Sequence, residues 1–181
     1  MKKFKKVLFP FVLVALTVLL GAWVYQSTSP DIKVESGGLS INQLSFAFPW
    51  TVARFNETLG KADRIDPGYN DIHTFDNLGI ILYQPDELTI SDFNIYYADD
   101  PDENMEFLPK AYFTGSLMVE KFKITGKTPF KKLNKALPQY NFKMSLIDAY
   151  RGEYENLYIY VKYDKAEKKI LWISIGKKGN E

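Results

Sequence analysis

The chain has 181 residues, 46% apolar and 25% charged, which is the composition of a folded domain plus extras and excludes a largely disordered chain. The net charge of +1 gives no reason to expect a nucleic-acid partner. The lack of cysteine excludes disulfides, thiolate metal sites, a thiol nucleophile and a lipidated cysteine.

In chain order, the first element is apolar. Lys2, Lys3, Lys5 and Lys6 precede an uncharged run of 18 residues, Val7–Val24. As a helix the run spans roughly 27 Å, close to the ~30 Å of a bilayer core. The apolar core of a cleaved signal is usually about 7–15 residues, and no small-x-small cleavage site follows this one. Trp23 and Tyr25 suit a membrane interface, and the lysines should remain cytoplasmic. Residues 1–25 are therefore expected to form a single-pass signal anchor in the inner membrane, touching lipid through residues 7–24, with the remainder periplasmic. Residues 26–38, rich in Ser, Pro and Gly, are expected to be a flexible linker.

From Leu39 the pattern runs twice. Leu39, Ile41, Leu44 and Phe46 are spaced as Leu117, Val119, Phe122 and Ile124; Val52, Phe55 and Leu59 as Phe130, Leu133 and Leu137. FDNLGIIL (Phe75–Leu82) then falls on YENLYIYV (Tyr154–Val161), and Ile90, Phe93 and Ile95 fall on Ile170, Ile173 and Ile175. A repeat of this period implies duplication. Each unit reads as a hairpin or bulge with a phase slip at Asn42-Gln43 or Glu120-Lys121, then a helix, then two strands. Thr128-Pro129 is expected to cap the second helix and Gly60 to end the first. The expected strands are Ile72–Tyr83 with Leu88–Tyr97, and Leu146–Tyr163 with Lys169–Gly176. The fold class is thus α+β: tandem duplicated β(β)-α-β-β units, antiparallel sheets with helices on one face, behind one N-terminal transmembrane helix. The units are placed at 39–98 and 112–177, an acidic joint at 99–111 and a tail at 178–181.

Phe75–Leu82 raises a question, because an acid, an amide and a glycine sit near the lone His73. The acid-amide pair recurs as Glu155-Asn156, which points to turn chemistry, and Leu78, Ile80 and Leu82 share one strand face. The segment reads as a strand. His73 has Gly152 at its place in the other copy and no orienting partner, so a structural role is expected. No nucleophile elbow or phosphate loop occurs, and there are too few His and Cys for zinc. No catalytic, cofactor or metal residue is assigned, and no small-molecule substrate is expected. The run Asp99–Glu106 lacks the spacing of a calcium loop and reads as a solvated linker.

Charge is split between the halves: Asp31–Phe107 has 15 acids against 4 bases, a net of −11, and Leu108–Glu181 has 7 against 15, a net of +8. Such a surface steers association. The outward register of the YENLYIYVKY strand is aromatic, with Tyr158, Tyr160 and Lys162. With Tyr83, Tyr96 and Tyr163 these form a candidate protein-binding face; Tyr97 and Tyr150 add further aromatic area. The alternative is that the helices or the other half cover this face.

Phe75-Asp76-Asn77-Leu78-Gly79-Ile80, the preceding Leu59-Gly60-Lys61 and the following Phe113–Leu117 (FTGSL) resemble an uncharacterised bacterial domain family with an aromatic-Asp-x-Leu-Gly-Ile motif. Members of that family often lie near secretion-system toxin genes. The resemblance spans about Leu39–Gly176 and implies immunity to a secreted antibacterial toxin. The helix-then-strands order is also similar to repeats of envelope-assembly lipoproteins and of a proteinaceous β-lactamase inhibitor, although this chain lacks the lipidated cysteine. The expected function is a membrane-anchored, non-catalytic module that binds a toxin; the alternative is an envelope assembly factor acting through resident membrane proteins.

Overall fold

The computed structural model describes residues 29–103 and 106–178. The expected anchor, residues 1–25, lies outside them. Among the described residues no helix is long and apolar enough to cross a membrane.

Among the described residues, thirteen strands and two short α-helices form an α+β domain of two sheets. In chain order these are β1 (Asp31–Glu35), β2 (Gly38–Ile41), β3 (Leu44–Phe46), α1 (Val52–Leu59), β4 (Arg64–Asp66), β5 (Asp71–Phe75), β6 (Ile80–Gln84) and β7 (Asp92–Tyr96). There follow β8 (Ser116–Val119), β9 (Phe122–Ile124), α2 (Phe130–Ala136), a 3₁₀ turn (Pro138–Tyr140), β10 (Lys143–Leu146), β11 (Ala149–Tyr154), β12 (Leu157–Asp164) and β13 (Lys169–Lys177).

The larger sheet has the order β10-β11-β12-β13-β7-β6-β5-β4 and the smaller β3-β2-β1-β8-β9. Read inward from its edges, the larger sheet meets the same succession twice and closes at β7–β13. There Phe93 faces Ile175, Asn94 faces Ser174 and Ile95 faces Ile173. Exchanging the halves maps this pairing onto itself.

Both phase slips are hairpins. Asn42 and Gln43 both take positive φ (50° and 69°), as a two-residue primed turn requires, and Glu120 does so at the second slip. In α1 the spacing of Val52, Phe55 and Leu59 aims Phe55 at the core, where it meets Phe93 at 5.8 Å and Phe46 at 4.8 Å between ring centroids. Thr51 Oγ1 accepts from the Arg54 N–H, and the Gly60 N–H closes the helix on the Asn56 carbonyl. Phe55, Leu133 and inward residues of both sheets share one buried apolar cluster.

The structure corrects several expectations. Residues 31–38 are not linker: β1 lies at the centre of the smaller sheet, with Ile32 and Val34 fully buried. Its pairing with β8 is parallel, the exception to the expected antiparallel sheets. Thr128 does not cap α2. Its hydroxyl accepts from the Thr125 N–H, and Pro129 occupies the cap without a side-chain bond.

Phe75–Leu82 is not one strand. Phe75 ends β5, Asp76–Gly79 turn the chain, and Ile80–Leu82 begin β6. The Leu78 and Gly79 N–H groups both bond the Phe75 carbonyl. Gly79 sits at φ 69°, and a Cβ there would lie 2.3 Å from the Phe113 nitrogen, so only glycine fits. In the second half the turn is only Glu155-Asn156, and Leu157 is already strand. The longer turn shifts β5 by two residues against β11. Phe75 therefore pairs with Ile80 where Gly152 pairs with Ile159. By this register the counterpart of His73 is Tyr150 and not Gly152.

Asp76 does more than turn the chain. It is 2% exposed, with its carboxylate 3.2 Å from Arg64 Nη2 and 2.8 Å from Lys110 Nζ. Arg64 also donates to the carbonyls of Glu106 and Leu108, at 2.6 and 2.8 Å. Burial opposes the charge of Asp76, but the bonds from Lys110 and Arg64 outweigh it and hold its pKa below the ordinary 3.8. A lowered folded pKa contributes stability that is present above the unfolded value and lost as pH falls through the folded one. Asp76→Ala should thus cost about 3 kcal/mol at neutral pH in urea unfolding, since it strands Arg64 partly buried. The gap from wild type should close in acid below pH 3.8, where wild-type Asp76 takes up its proton.

Candidate functional site

Alternation along the strands sorts side chains onto two faces. On β12, Leu157, Ile159, Val161 and Tyr163 enter the shared core, and Tyr158, Tyr160 and Lys162 take the opposite face. On β7, Asp92, Asn94 and Tyr96 alternate with core Phe93 and Ile95; on β13, Trp172, Ser174 and Gly176 alternate with Ile173 and Ile175. Pairing aligns these residues into rows. One row runs Arg151, Tyr160, Ser174, Asn94, Ile81; its neighbour runs Glu153, Tyr158, Gly176, Asp92, Tyr83.

The chain covers part of this second face itself. Ile81 and Tyr96 form a small buried cluster with Leu108, which the acidic joint brings across. The joint is folded onto the sheet, in contrast to the solvated linker expected of Asp99–Glu106. Asp100 is 1% exposed, accepts from Trp172 Nε1 at 2.8 Å and lies 3.9 Å from Lys162 Nζ, which meets Asp102 at 2.8 Å. The cover on this face comes from the joint, while Phe55 and Leu133 of the helices pack into the core on the other.

Beside the joint a shallow depression of about 320 Å³ stays open, lined by Tyr83, Asp92, Asn94, Glu103, Arg151, Tyr158, Tyr160, Trp172 and Ser174. Tyr160 stacks on Trp172 at 5.5 Å between centroids. Tyr158 lies across Gly176, where any side chain would collide with its ring. The Arg151 guanidinium sits 4.7 Å above the Tyr158 ring and donates to Glu153 at 2.8 Å.

The polar groups form a chain of hydrogen bonds. Tyr96 donates to Glu103 at 2.8 Å, so its oxygen must accept from Asn94 Nδ2 at 3.3 Å; Asn94 Nδ2 also faces the Tyr83 hydroxyl at 3.4 Å. This fixes the Asn94 amide and leaves its buried Oδ1 with no partner among the described residues. Asp92 accepts from Ser91 at 2.7 Å and from Ser174 at 3.3 Å. Burial raises the pKa of Asp92, which the bonds from Ser91, Ser174 and Tyr158 only partly offset. Burial likewise raises Glu103, against the bond from Tyr96. The Tyr83 hydroxyl is pushed up to about 12, by burial first and the Glu103 charge second.

Of the five tyrosines and one lysine expected to form a binding face, Tyr83, Tyr158 and Tyr160 line the depression. Tyr96 shares the face but is covered by the joint, and the charge of Lys162 is engaged by Asp100 and Asp102. Tyr163 lies on the other face, 8% exposed and 6.1 Å from the Phe130 ring, because its parity is that of Val161. Tyr97 and Tyr150 are also on the core side, against Phe113 and Phe130. His73 is buried, bonds Gln84, and pairs in the row of core Leu82 and Phe93. Sequence reasoning missed Asp92, Asn94, Glu103, Arg151, Trp172 and Ser174. The parity of Asp92-x-Asn94-x-Tyr96 and Trp172-x-Ser174-x-Gly176 was the signal available for most of them.

The Asp92 carboxyl can be tested as a strained group. A folded pKa above the unfolded 3.8 penalises the fold as pH rises through that window, with no penalty below it. Asp92→Asn keeps an oxygen acceptor for one serine, offers its amide N–H to the other hydroxyl, and removes the penalty. Its Tm should exceed that of wild type by about 2–4 °C at neutral pH and match it below pH 3.8, by calorimetry.

A family model described as a domain of unknown function, DUF7738, matches residues 31–134. The match takes in the smaller sheet, α1 and β4–β7, and so contains Tyr83, Asp92, Asn94 and Glu103; the β11–β13 half of the depression lies beyond it. No match was found among curated proteins or among solved structures. With more than half of its length matched, this chain belongs to the DUF7738 family, whose function is unknown.

Proposed function

We propose that the chain is a membrane-anchored, outward-facing, non-catalytic protein-binding module, and that the open part of the second face is its binding surface. One observation carries this reading. Tyr83, Tyr158, Tyr160 and Trp172 gather around a shallow depression on a face that the chain covers only in part. Tyrosine and tryptophan bring large contact area and a hydrogen-bonding tip at low entropy cost, and they dominate interface hot spots. Two partner classes fit the surface: a secreted antibacterial toxin neutralised in the periplasm, or a resident envelope protein. An internal duplication accounts for the two-way strand order and for the matched spacings. It also places this face where the two units meet, at β7–β13.

The anchor half of the proposal gains a geometric consequence. Since β1 begins at Asp31, only residues 26–30 separate the anchor, residues 1–25, from the folded domain. At about 3.5 Å per residue the tether reaches less than ~20 Å, which would hold the domain close to the bilayer. Full-length protein should remain in the membrane pellet after alkaline carbonate washing, and a reporter fused after Glu181 should be active only outside the cytoplasm. A carbonate-soluble chain that begins near Trp23 would overturn the anchor.

The binding surface is tested by Tyr158→Ala/Tyr160→Ala in crosslinking and pull-down from the native envelope, or with any toxin encoded beside its gene. Loss of a central tyrosine costs roughly 2 kcal/mol, about thirtyfold in affinity. The variant should keep a cooperative melting curve yet lose capture, and His73→Ala should keep it. Full capture by the folded double variant would exclude this face.

A further inference from the structure

Resting on the reading of this face as a partner surface, we propose that its depression is a socket for one basic side chain, a lysine ammonium or arginine guanidinium presented by the partner. The reasoning begins with what the depression lacks. Asp92 and Glu103 both line it, and neither has an ion-pair partner among the described residues; their hydrogen bonds come from the hydroxyls of Ser91, Ser174, Tyr158 and Tyr96. Asn94, 5% exposed, adds a buried acceptor with no donor. A buried acceptor left unpaired is costly, and two half-buried carboxylates without a cation are more so. The missing group is a cationic donor.

The surrounding cations cannot supply it. Lys162 is held by Asp102 and Asp100 on the joint, and Arg151 by Glu153. An anionic ligand would meet Asp92 and Glu103 with only Arg151, already paired to Glu153, to offset them, which argues against the acidic partner that the basic second half of the chain suggests. The walls fit a cation as well. Arg151 already shows the arrangement at the rim, with its guanidinium over the face of Tyr158 and a carboxylate beside it. Tyr83, Tyr160 and Trp172 repeat the aromatic part further in, with Asp92 and Glu103 as the carboxylates.

The experiment uses the full-length chain labelled with ¹⁵N-tryptophan, in which the Trp172 indole signal, assigned through Trp172→Phe, reports on the depression. The probes are N-acetyl-arginine amide, N-acetyl-lysine amide and the neutral isostere N-acetyl-citrulline amide. The arginine and lysine probes should shift the Trp172 signal saturably, and citrulline should bind at least about tenfold more weakly. Glu103→Gln keeps an acceptor for Tyr96, Asp92→Asn keeps one acceptor and adds one donor for the serine hydroxyls, and each should weaken arginine about tenfold. Equal binding of citrulline, or full arginine affinity in both carboxylate variants, would overturn the socket. If Tyr158→Ala/Tyr160→Ala loses the partner but no basic probe shifts Trp172, the socket falls and the partner face stands. If arginine binds as described while that double variant still captures the partner, the socket stands and the partner face falls.

Discussion

The pairing of β7 with β13 is the constraint on which the rest of the molecule depends. Ten residues in five pairs join two four-stranded halves into one sheet. The alternation of those strands sends Phe93, Ile95, Ile173 and Ile175 inward to meet the helices and the smaller sheet. The same alternation obliges Asp92, Asn94, Trp172 and Ser174 to face the other way. The apolar core and the polar depression are thus two consequences of one register. A slip by a single residue would exchange them.

The second face is then divided by the joint between the halves. Arg64 and Asp76 tie that segment down through the carbonyls of Glu106 and Leu108 and the Lys110 side chain. Trp172 and Lys162 hold it further along through Asp100 and Asp102. Its Asp100 and Asp102 therefore neutralise Lys162 of the second half, as Asp76 of the first half neutralises Lys110. What remains open is small, aromatic and short of positive charge. A strained carboxylate kept in such a place opposes stability, which is the pattern expected where a surface is shaped for a ligand.

Much of the core was legible in the sequence, because period 2 and period 3.6 are read directly from apolar spacing. Phe55 and Leu133 face the core as their helical spacing requires, and Leu157, Ile159 and Val161 as their strand spacing requires. The acid-amide pairs were rightly read as turns. The glycine of Phe75–Leu82 was not recognised as part of its turn, because the demand for it comes from Phe113, 34 residues away, and not from local pattern. Residues 31–35 look like linker for the same reason. A five-residue strand with Lys and two acids becomes the centre of a sheet only when β2 and β8 flank it.

By itself, then, the sequence determined most of the faces: which core residues of the helices and of β12 share a side, that the chain turns at Asn42-Gln43 and Glu120-Lys121, and that no cysteine chemistry is possible. Those properties follow from backbone periodicity and composition, which are local. Only the tertiary structure decided that Tyr96 is covered by the joint while Tyr160 is not, that Lys162 is already paired, and that Asp92, Asn94 and Glu103 meet in one depression with no ion-pair partner for either carboxylate among the described residues. Asp92 and Asn94 are brought to Tyr158 and Tyr160 by strand order, and Glu103 by the fold of the joint. Strand order and loop packing depend on contacts between residues distant in the chain, and those contacts leave no periodic trace in the sequence.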